Sequence, residues 1–368
     1  MNNQDSHVVE LKGVTKRFEN ITAVDGASIS VNRREIFSLL GPSGCGKTTT
    51  LRLIAGLETP DDGKILINGK VVNNVPPYER PSNTIFQRLA LFPHMTVEEN
   101  LAFGLKLKRV PKEELKQRIR EILKVVGLEG YERRRPNQLS GGQQQRIALA
   151  RSLVLEPEVL LLDEPLSSLD RKLRKEMQVE LKRIQRNVGT TFVYVTHDQK
   201  VALAISDRIA IMVDGKIVEI DTPTNIYERP KTKFAGRFVG ASNTFTGKVV
   251  SKKNAMIQVE TESGLKISAL GDKKISVGEN VEIVVRPERL TVLPENVSDE
   301  TDNRVIGEIE EVTYQGEFTE LEITLTSGDK MAVRLANKAG RLGENGTPRK
   351  GDRVAVSWAR NDCIVLLD

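Results

Sequence analysis

Glu35–Leu57 reads EIFSLLGPSGCGKTTTLRLIAGL, and its three parts differ in kind. Glu35–Leu40 is an apolar run of strand length. Gly41–Gly46 is rich in glycine. From Lys47 onward Leu51, Ile54 and Ala55 recur at helical spacing until Gly56 supplies an end signal. Gly41, Pro42, Ser43, Gly44, Cys45, Gly46, Lys47 and Thr48 fit G-x-x-x-x-G-K-[ST] in the strand-to-helix context that the pattern requires. Glycines let successive backbone N–H groups converge on phosphate oxygens at a helix N-terminus, where the partial positive charge also lies. Lys47 adds a cation for the β- and γ-phosphates, the Thr48 hydroxyl is set to ligate Mg²⁺, and Thr49 follows in the same turn. ATP with Mg²⁺ is therefore the expected ligand.

Further along, Leu160-Leu161-Leu162-Asp163-Glu164 ends an apolar strand with two acids, which emerge at the carboxyl edge of the sheet. Asp163 is the expected second Mg²⁺ ligand, and Glu164 the general base for an attacking water. Leu139-Ser140-Gly141-Gly142-Gln143 precedes another helix-like run, with Ser140 as its N-cap. One nucleotide does not need two such loops from one chain, so this second loop is assigned to the nucleotide of a symmetry-related partner.

The remaining text sets the frame. Val159–Leu162 and Thr191–Thr196 read as central parallel strands, and Val8–Val31 as two strands punctuated by Gly13 and Gly26. Glu113–Val126 puts Leu115, Ile119, Ile122, Leu123 and Val126 on one helix face after Pro111, inside a helical layer expected over about 88–156. Beyond residue 236 the pattern turns to short alternating strands, as at Leu321, Ile323 and Leu325 and again at Val354, Val356 and Trp358. The expectation is an α/β P-loop domain over 1–236 and a small all-β domain over 237–368, with one copy of the nucleotide machinery.

The 368 residues allow two domains, and 39% hydrophobic with 29% charged residues excludes a disordered or fibrous chain. Lys plus Arg exceed Asp plus Glu by 55 to 50, too small a surplus to name a partner. Cys45 and Cys363 are the two cysteines, which excludes a disulfide framework and fits a reducing compartment. No export signal or apolar run of spanning length is legible, so any membrane role is expected to be peripheral.

GPSGCGKT, LSGGQQQR and LLLDEP in this order resemble the ATPase subunits of ABC transporters across residues 8–235. The resemblance implies that Phe18 stacks on adenine and that Gln87 reaches Mg²⁺ and the attacking water. It implies that His197 contacts the γ-phosphate and that Asp170 in Ser167-Ser168-Leu169-Asp170 couples the two sites of a homodimer. Ser168 stands where relatives often carry Asn. Leu91, Phe92, Pro93 and His94 resemble the surface that grips two membrane-spanning permease subunits, which implies a peripheral place on the cytoplasmic face of the membrane and an extracytoplasmic solute-binding protein as an indirect partner. The C-terminal segment, through Val285-Arg286-Pro287-Glu288 and Tyr314-Gln315-Gly316, resembles the OB-like regulatory barrel (TOBE) of solute importers. Within these, residues 79–87, FVGASNTF and VAVSW look most like polyamine-import ATPases, with ferric iron, phosphonate, thiamine or sugar import as alternatives. A soluble nucleic-acid-associated ATPase is the competing reading, but the aromatics Phe245, Tyr314, Phe318 and Trp358 are scattered rather than gathered on a basic groove, so no nucleic-acid partner is expected.

Overall fold

A computed structural model describes residues 7–87, 90–167, 169–272, 274–297, 301–337 and 348–367. The chain divides into two compact units, Met1–Pro223 and Thr224–Asp368. The first runs β1 (His7–Phe18), β2 (Ile21–Asn32), β3 (Ile36–Leu40), α1 (Lys47–Ala55), β4 (Asp62–Ile67), β5 (Lys70–Val71), β6 (Ser82–Ile85), α2 (Val97–Leu107), α3 (Lys112–Val125), α4 (Gly141–Leu153), β7 (Val159–Asp163), α5 (Arg171–Val188), β8 (Thr191–Thr196), α6 (Gln199–Ile205), β9 (Arg208–Val213) and β10 (Lys216–Asp221).

Its six-stranded sheet has the order β10-β9-β3-β8-β7-β6, parallel except for β10. The central strands are continuous apolar runs because both faces are covered. Phe37, Leu39, Leu161, Val193 and Val195 face α1 and the antiparallel sheet β2-β1-β4-β5. Ile36, Leu160, Leu162, Phe192 and Tyr194 face the helices on the other side. Gly13 and Gly26 lie within β1 and β2, both at φ near 60°, where the register slips, so they are bulges and the turn falls at Glu19-Asn20. The expected helical layer is α2–α4, inserted between β6 and β7, with Leu115, Ile119, Ile122, Leu123 and Val126 buried on one face. Arg88 and Leu89, at its expected start, lie outside the described residues.

α7 (Pro223–Glu228) and α8 (Lys233–Phe238) lead into β11 (Asn243–Lys253), β12 (Met256–Thr261), β13 (Lys266–Leu270), β14 (Asn280–Val285), β15 (Thr291–Pro294), β16 (Asn303–Tyr314), β17 (Phe318–Leu325), β18 (Lys330–Ala336), β19 (Arg353–Trp358) and β20 (Cys363–Leu366). The division between units falls earlier than the 236/237 boundary expected from the sequence. Arg237 of α8 pairs with Glu282 of β14, and Arg286 donates to the carbonyls of Tyr227, Gly236 and Ala241, so these polar bonds hold α7 and α8 to the β-rich segment.

The all-β segment is two copies of one five-strand unit. The sheets are β13-β12-β11-β14-β20 and β18-β17-β16-β19-β15, so each copy gives its fifth strand to the other copy's sheet. The registers match position for position: Asn243 pairs with Val285 and Gly247 with Val281, as Asn303 pairs with Trp358 and Gly307 with Val354. The two starting asparagines act across the sheets. Asn243 accepts from the Ala332 N–H at 2.7 Å and donates to its carbonyl at 2.8 Å, and Asn303 treats Ser268 in the same way at 2.7 and 2.9 Å. Inward residues of both sheets form one core, including Val249, Val259, Ile309, Ile323 and Trp358.

Candidate active site

The loop between β3 and α1 borders a pocket of about 470 Å³ lined by Ser43, Gly44, Gly46, Lys47, Thr48, Thr49 and Glu164, with Ile21, Thr22 and Ala23 of β2 and Asp214-Gly215 opposite. Two of its glycines are fixed by close approach. A Cβ on Gly41 would come within 2.1 Å of the Met212 carbonyl, and one on Gly46, at φ 104°, within 2.1 Å of the Ala23 carbonyl. Lys47 is buried, and its ammonium donates to the carbonyls of Gly41 (2.8 Å) and Pro42 (2.7 Å). It thus holds its own loop in the conformation a phosphate would meet. Cys45 beside it is buried, and burial raises its thiol pKa against the opposing influence of Lys47, so it is a poor nucleophile.

The Thr48 hydroxyl donates to Asp163 Oδ1 at 3.1 Å. Burial pushes the Asp163 carboxyl upward in pKa, and the neighbouring Glu164 charge adds to the shift. Two hard oxygen donors, one of them a carboxylate short of positive charge, suit a divalent cation that takes its other ligands from phosphates and water. Among the described residues no group of three or more His, Cys, Asp and Glu could hold a metal ion.

Glu164 follows β7 at φ 46°, a left-handed conformation costly for a residue with a Cβ and held here by its N–H on the Val195 carbonyl at 3.1 Å. Its Oε1 lies 2.7 Å from His197 Nδ1, at the end of β8. Gln87 Nε2 donates to Ser167 Oγ at 3.3 Å, and that hydroxyl donates to the Glu164 carbonyl at 2.8 Å, so Ser167 ties the Gln87 segment to the Glu164 turn. Ser140 caps α4 by accepting from Gln143 N at 3.3 Å, while Gln143 Oε1 accepts from Ser140 N at 2.9 Å. Ser140, Gly141, Gly142 and Gln143 are absent from the lining of the phosphate-loop pocket. Phe18 is also outside that lining, 42% exposed at the end of β1, with the Lys16 ammonium 5.1 Å from its ring.

The chain is 47% identical over 97% of its length to the spermidine/putrescine import ATP-binding protein PotA of Rubrobacter xylanophilus, covering 93% of that protein. It is 48% identical to the protein of the same description from Clostridioides difficile, covering 86% of this chain and 88% of that one. It belongs to the ABC transporter ATP-binding proteins. The ABC transporter family profile matches residues 24–167, and a TOBE domain profile matches 283–366. Among solved structures, an ATP-binding cassette dimer in a post-hydrolysis state bound to ADP and phosphate aligns at TM-score 0.50 with 34% identity, covering 58% of this chain and 98% of that one. The cassette cbiO1 of Clostridium perfringens aligns at TM-score 0.57 with 27% identity, covering 61% and 92%.

As an ABC ATP-binding protein the chain binds ATP, and two further regions of its first unit gain interest. Asp170 caps α5 through the Leu173 N–H at 2.9 Å. One turn on, Arg174 donates to the Leu169 carbonyl at 2.8 Å and pairs with Asp198 at 3.2 Å, while Asp198 caps α6 beside His197. Arg174 therefore joins the loop carrying Asp170 to the loop carrying His197, a link that no sequence pattern announced. Ser168 lies outside the described residues.

The other region is the stretch at Leu91–His94. Phe92 packs against Phe103 at 4.8 Å with the Arg151 guanidinium 5.3 Å from its ring, and Pro93 and His94 are exposed. Leu91 instead packs against the core. Asn100, fully buried, pins the stretch through bonds to Phe92, Met95 and Thr96 backbone groups. Phe103 and Leu107, 40% and 71% exposed on α2, extend the apolar surface beyond the residues expected from sequence.

Proposed function

We propose that the chain is the ATP-hydrolysing subunit of an importer for polyamines such as spermidine and putrescine, working as a homodimer beneath two membrane-spanning permease subunits. The single observation that carries the ATPase mechanism is one pocket lined by Lys47, Thr48 and Glu164, with Asp163 bonded to Thr48 and His197 to Glu164, from whose lining Ser140–Gln143 are absent. A site of this kind is completed by the second loop of another copy, arranged head to tail. The choice of solute rests on the names carried by relatives matched over nearly the whole chain.

In this reading the Gly41–Thr49 segment holds the phosphates, Phe18 stacks on the base, and Ser140, Gly141, Gly142 and Gln143 of the partner copy cap the γ-phosphate. Mg²⁺ held by Thr48 and Asp163, with Gln87 nearby, would supply charge neutralisation on the β- and γ-oxygens. Glu164 Oε1 takes the proton of the attacking water, and His197 holds that carboxylate before turning to the γ-phosphate. Lys47 leaves the Gly41 and Pro42 carbonyls for the phosphate oxygens and stabilises charge as the bond breaks. Asp170 passes the state of one site to the other. Closure and opening move the α2–α4 layer, and the surface of Phe92, Pro93 and His94 transmits that motion to the permeases. No helix among the described residues is long and apolar enough to cross a membrane, in keeping with peripheral attachment at the cytoplasmic face and an indirect link to a solute-binding protein outside.

The test is ATP-dependent uptake of labelled spermidine and putrescine by proteoliposomes containing the chain and its co-purified membrane partners, with Glu164→Gln as control. Glu164→Gln should bind ATP normally and lose turnover by about 10²–10⁴-fold. Near-normal hydrolysis rejects the base assignment. ATP hydrolysis without polyamine uptake rejects the solute and leaves the ATPase in place.

A further inference from the structure

The first turn of α5 stands between two loops that, in the head-to-tail dimer proposed above, serve different nucleotides. Leu173 reaches one of them. Its methyls lie over Gly141-Gly142: the Cβ that residue 142 lacks would stand 2.8 Å from Leu173 Cδ1 and 3.7 Å from Cδ2, and that of residue 141 would stand 3.9 Å from Leu173 Cδ2 and 3.7 Å from Leu169 Cδ2. Arg174 reaches the other, through its bonds to the Leu169 carbonyl and to the Asp198 carboxylate beside His197. Successive helix residues point about 100° apart, so adjacent positions of one turn can face two loops.

The turn that carries both side chains is closed at its start. Asp170 accepts from the Leu173 N–H, and the Arg174 N–H donates to the Asp170 carbonyl at 2.9 Å. A push of the Gly142 loop on Leu173 therefore moves Arg174 with it. At the far end are two states to choose between, since His197 sits here on Glu164 at 2.7 Å and turns to the γ-phosphate in the mechanism above. There is room for the change. Glu164, Ser167, Arg174, Tyr194, His197 and Asp198 border a cavity of about 100 Å³, where a close-packed interior would resist rearrangement.

We propose that Leu173 is a positioning residue that carries the occupancy of the partner copy's nucleotide, met at Gly142, through Arg174 and Asp198 to His197 of its own site. The proposal rests on the two-copy site proposed above. It runs within one chain, whereas the coupling assigned to Asp170 crosses between copies. Coupling of this kind requires an element with two states whose balance both sites bias, and the His197 loop is that element. Leu169 and Leu173 also pack against the core on the helical side of the sheet, so the experiment has to read coupling as well as stability.

The test is ATP hydrolysis by the chain with its co-purified membrane partners, followed against ATP concentration, beside thermal melting. With two coupled sites the wild-type Hill coefficient should exceed about 1.5, and Leu173→Ala should bring it to about 1. ATP affinity by calorimetry, compared in the Glu164→Gln background, should change less than about twofold. Leu173→Met, which conserves volume, should keep the coupling. Leu173→Ala combined with Arg174→Gln should lose no more coupling than either change alone, because both interrupt one route. A hyperbolic wild-type curve overturns the proposal, as does a Leu173→Ala protein that melts earlier yet keeps the wild-type Hill coefficient. The two-copy site has its own control in Ser140→Arg, which should abolish hydrolysis although residue 140 is outside the pocket lining. Hydrolysis that survives Ser140→Arg removes both readings, whereas its loss beside an unchanged Hill coefficient in Leu173→Ala removes the relay alone.

Discussion

Arg80 offers a demanding test of how the nucleotide-binding helix is held. It is 5% exposed, and its guanidinium donates to the carbonyls of Leu53 (2.7 Å) and Ile54 (2.8 Å) in the last turn of α1, and to those of Val72 (2.6 Å) and Val75 (2.8 Å) in the following segment. The last carbonyls of a helix lack intrahelical partners and carry its negative end, so a buried cation there both satisfies and neutralises them. Arg80→Met keeps the apolar stem and removes every donor. Each charge-assisted bond is worth about 1.5–3 kcal/mol net, but relief from burying the guanidinium offsets part of their sum. A net loss of about 3 kcal/mol follows, which for a unit of this size lowers the melting temperature by about 6–12 °C. The assay is thermal unfolding of the first unit within the full chain, followed by circular dichroism with and without ATP. Arg80→Lys should recover only part of the loss, since one ammonium has three donors for the five carbonyls that the guanidinium reaches, that of Asn73 at 3.4 Å included. A shift below about 2 °C for Arg80→Met would refute the reasoning, because the guanidinium would then be contributing nothing net to the end of α1.

Other variants probe the site directly. Lys47→Ala should weaken ATP binding at least about tenfold by calorimetry, and unchanged affinity would count against the phosphate cradle. Asp163→Asn keeps an acceptor for Thr48 and removes a carboxylate whose folded pKa is raised. That carboxylate destabilises the nucleotide-free protein increasingly as pH climbs from the ordinary carboxylate range to the raised value, and by a constant amount above it. The variant's gain in melting temperature should therefore be present at neutral pH and disappear in acid, while Mg²⁺-dependent hydrolysis is lost. Arg174→Gln should lower kcat with little change in KM, with partial recovery in Arg174→Lys; equal loss of stability and activity in both would make it a structural residue only. Asn243→Ala and Asn303→Ala should each destabilise the second unit by about 1–3 kcal/mol, and denaturant melts of the double variant test whether the two losses add.

The legible part of the active site is the part written in contiguous residues. A loop that wraps phosphates needs its glycines, cation and hydroxyl within one turn of chain, and a strand that ends in acids must place them at one sheet edge. Gly41–Thr48 and Asp163-Glu164 could therefore be read directly. Arg80, Ser167 and Arg174 were not legible because their partners are main-chain carbonyls or residues of another loop, and a backbone acceptor leaves no mark on the sequence. Asn100 is the same kind of case: an amide on α2 fixes the 92–96 stretch, and in the sequence it follows Glu98-Glu99 as one more polar residue of the first helical turn. Leu91 shows the reverse, since adjacency placed it with Phe92, Pro93 and His94, while the fold turns its side chain toward the core.

The second unit shows why symmetry of structure can outlast symmetry of sequence. A strand needs only its inward positions to be apolar, so Val249 and Ile309, or Val259 and Ile323, serve equally in corresponding places. The outward positions are free to diverge, and the two copies differ in the lengths of their connections, which hides the repeat from any fixed-period search. What persists is the residue with no substitute. At Asn243 and Asn303 a single side chain must accept from and donate to one residue of the opposite sheet, and an amide carries a donor and an acceptor at that spacing. The same logic gives the departures their meaning. Where a position is free of the shared constraint and still carries a buried charge in one copy alone, as at Arg286 against Ala359, the cause is what flanks that copy alone: Arg286 donates to the carbonyls of Tyr227, Gly236 and Ala241 and so ties α7 and α8 to the strands.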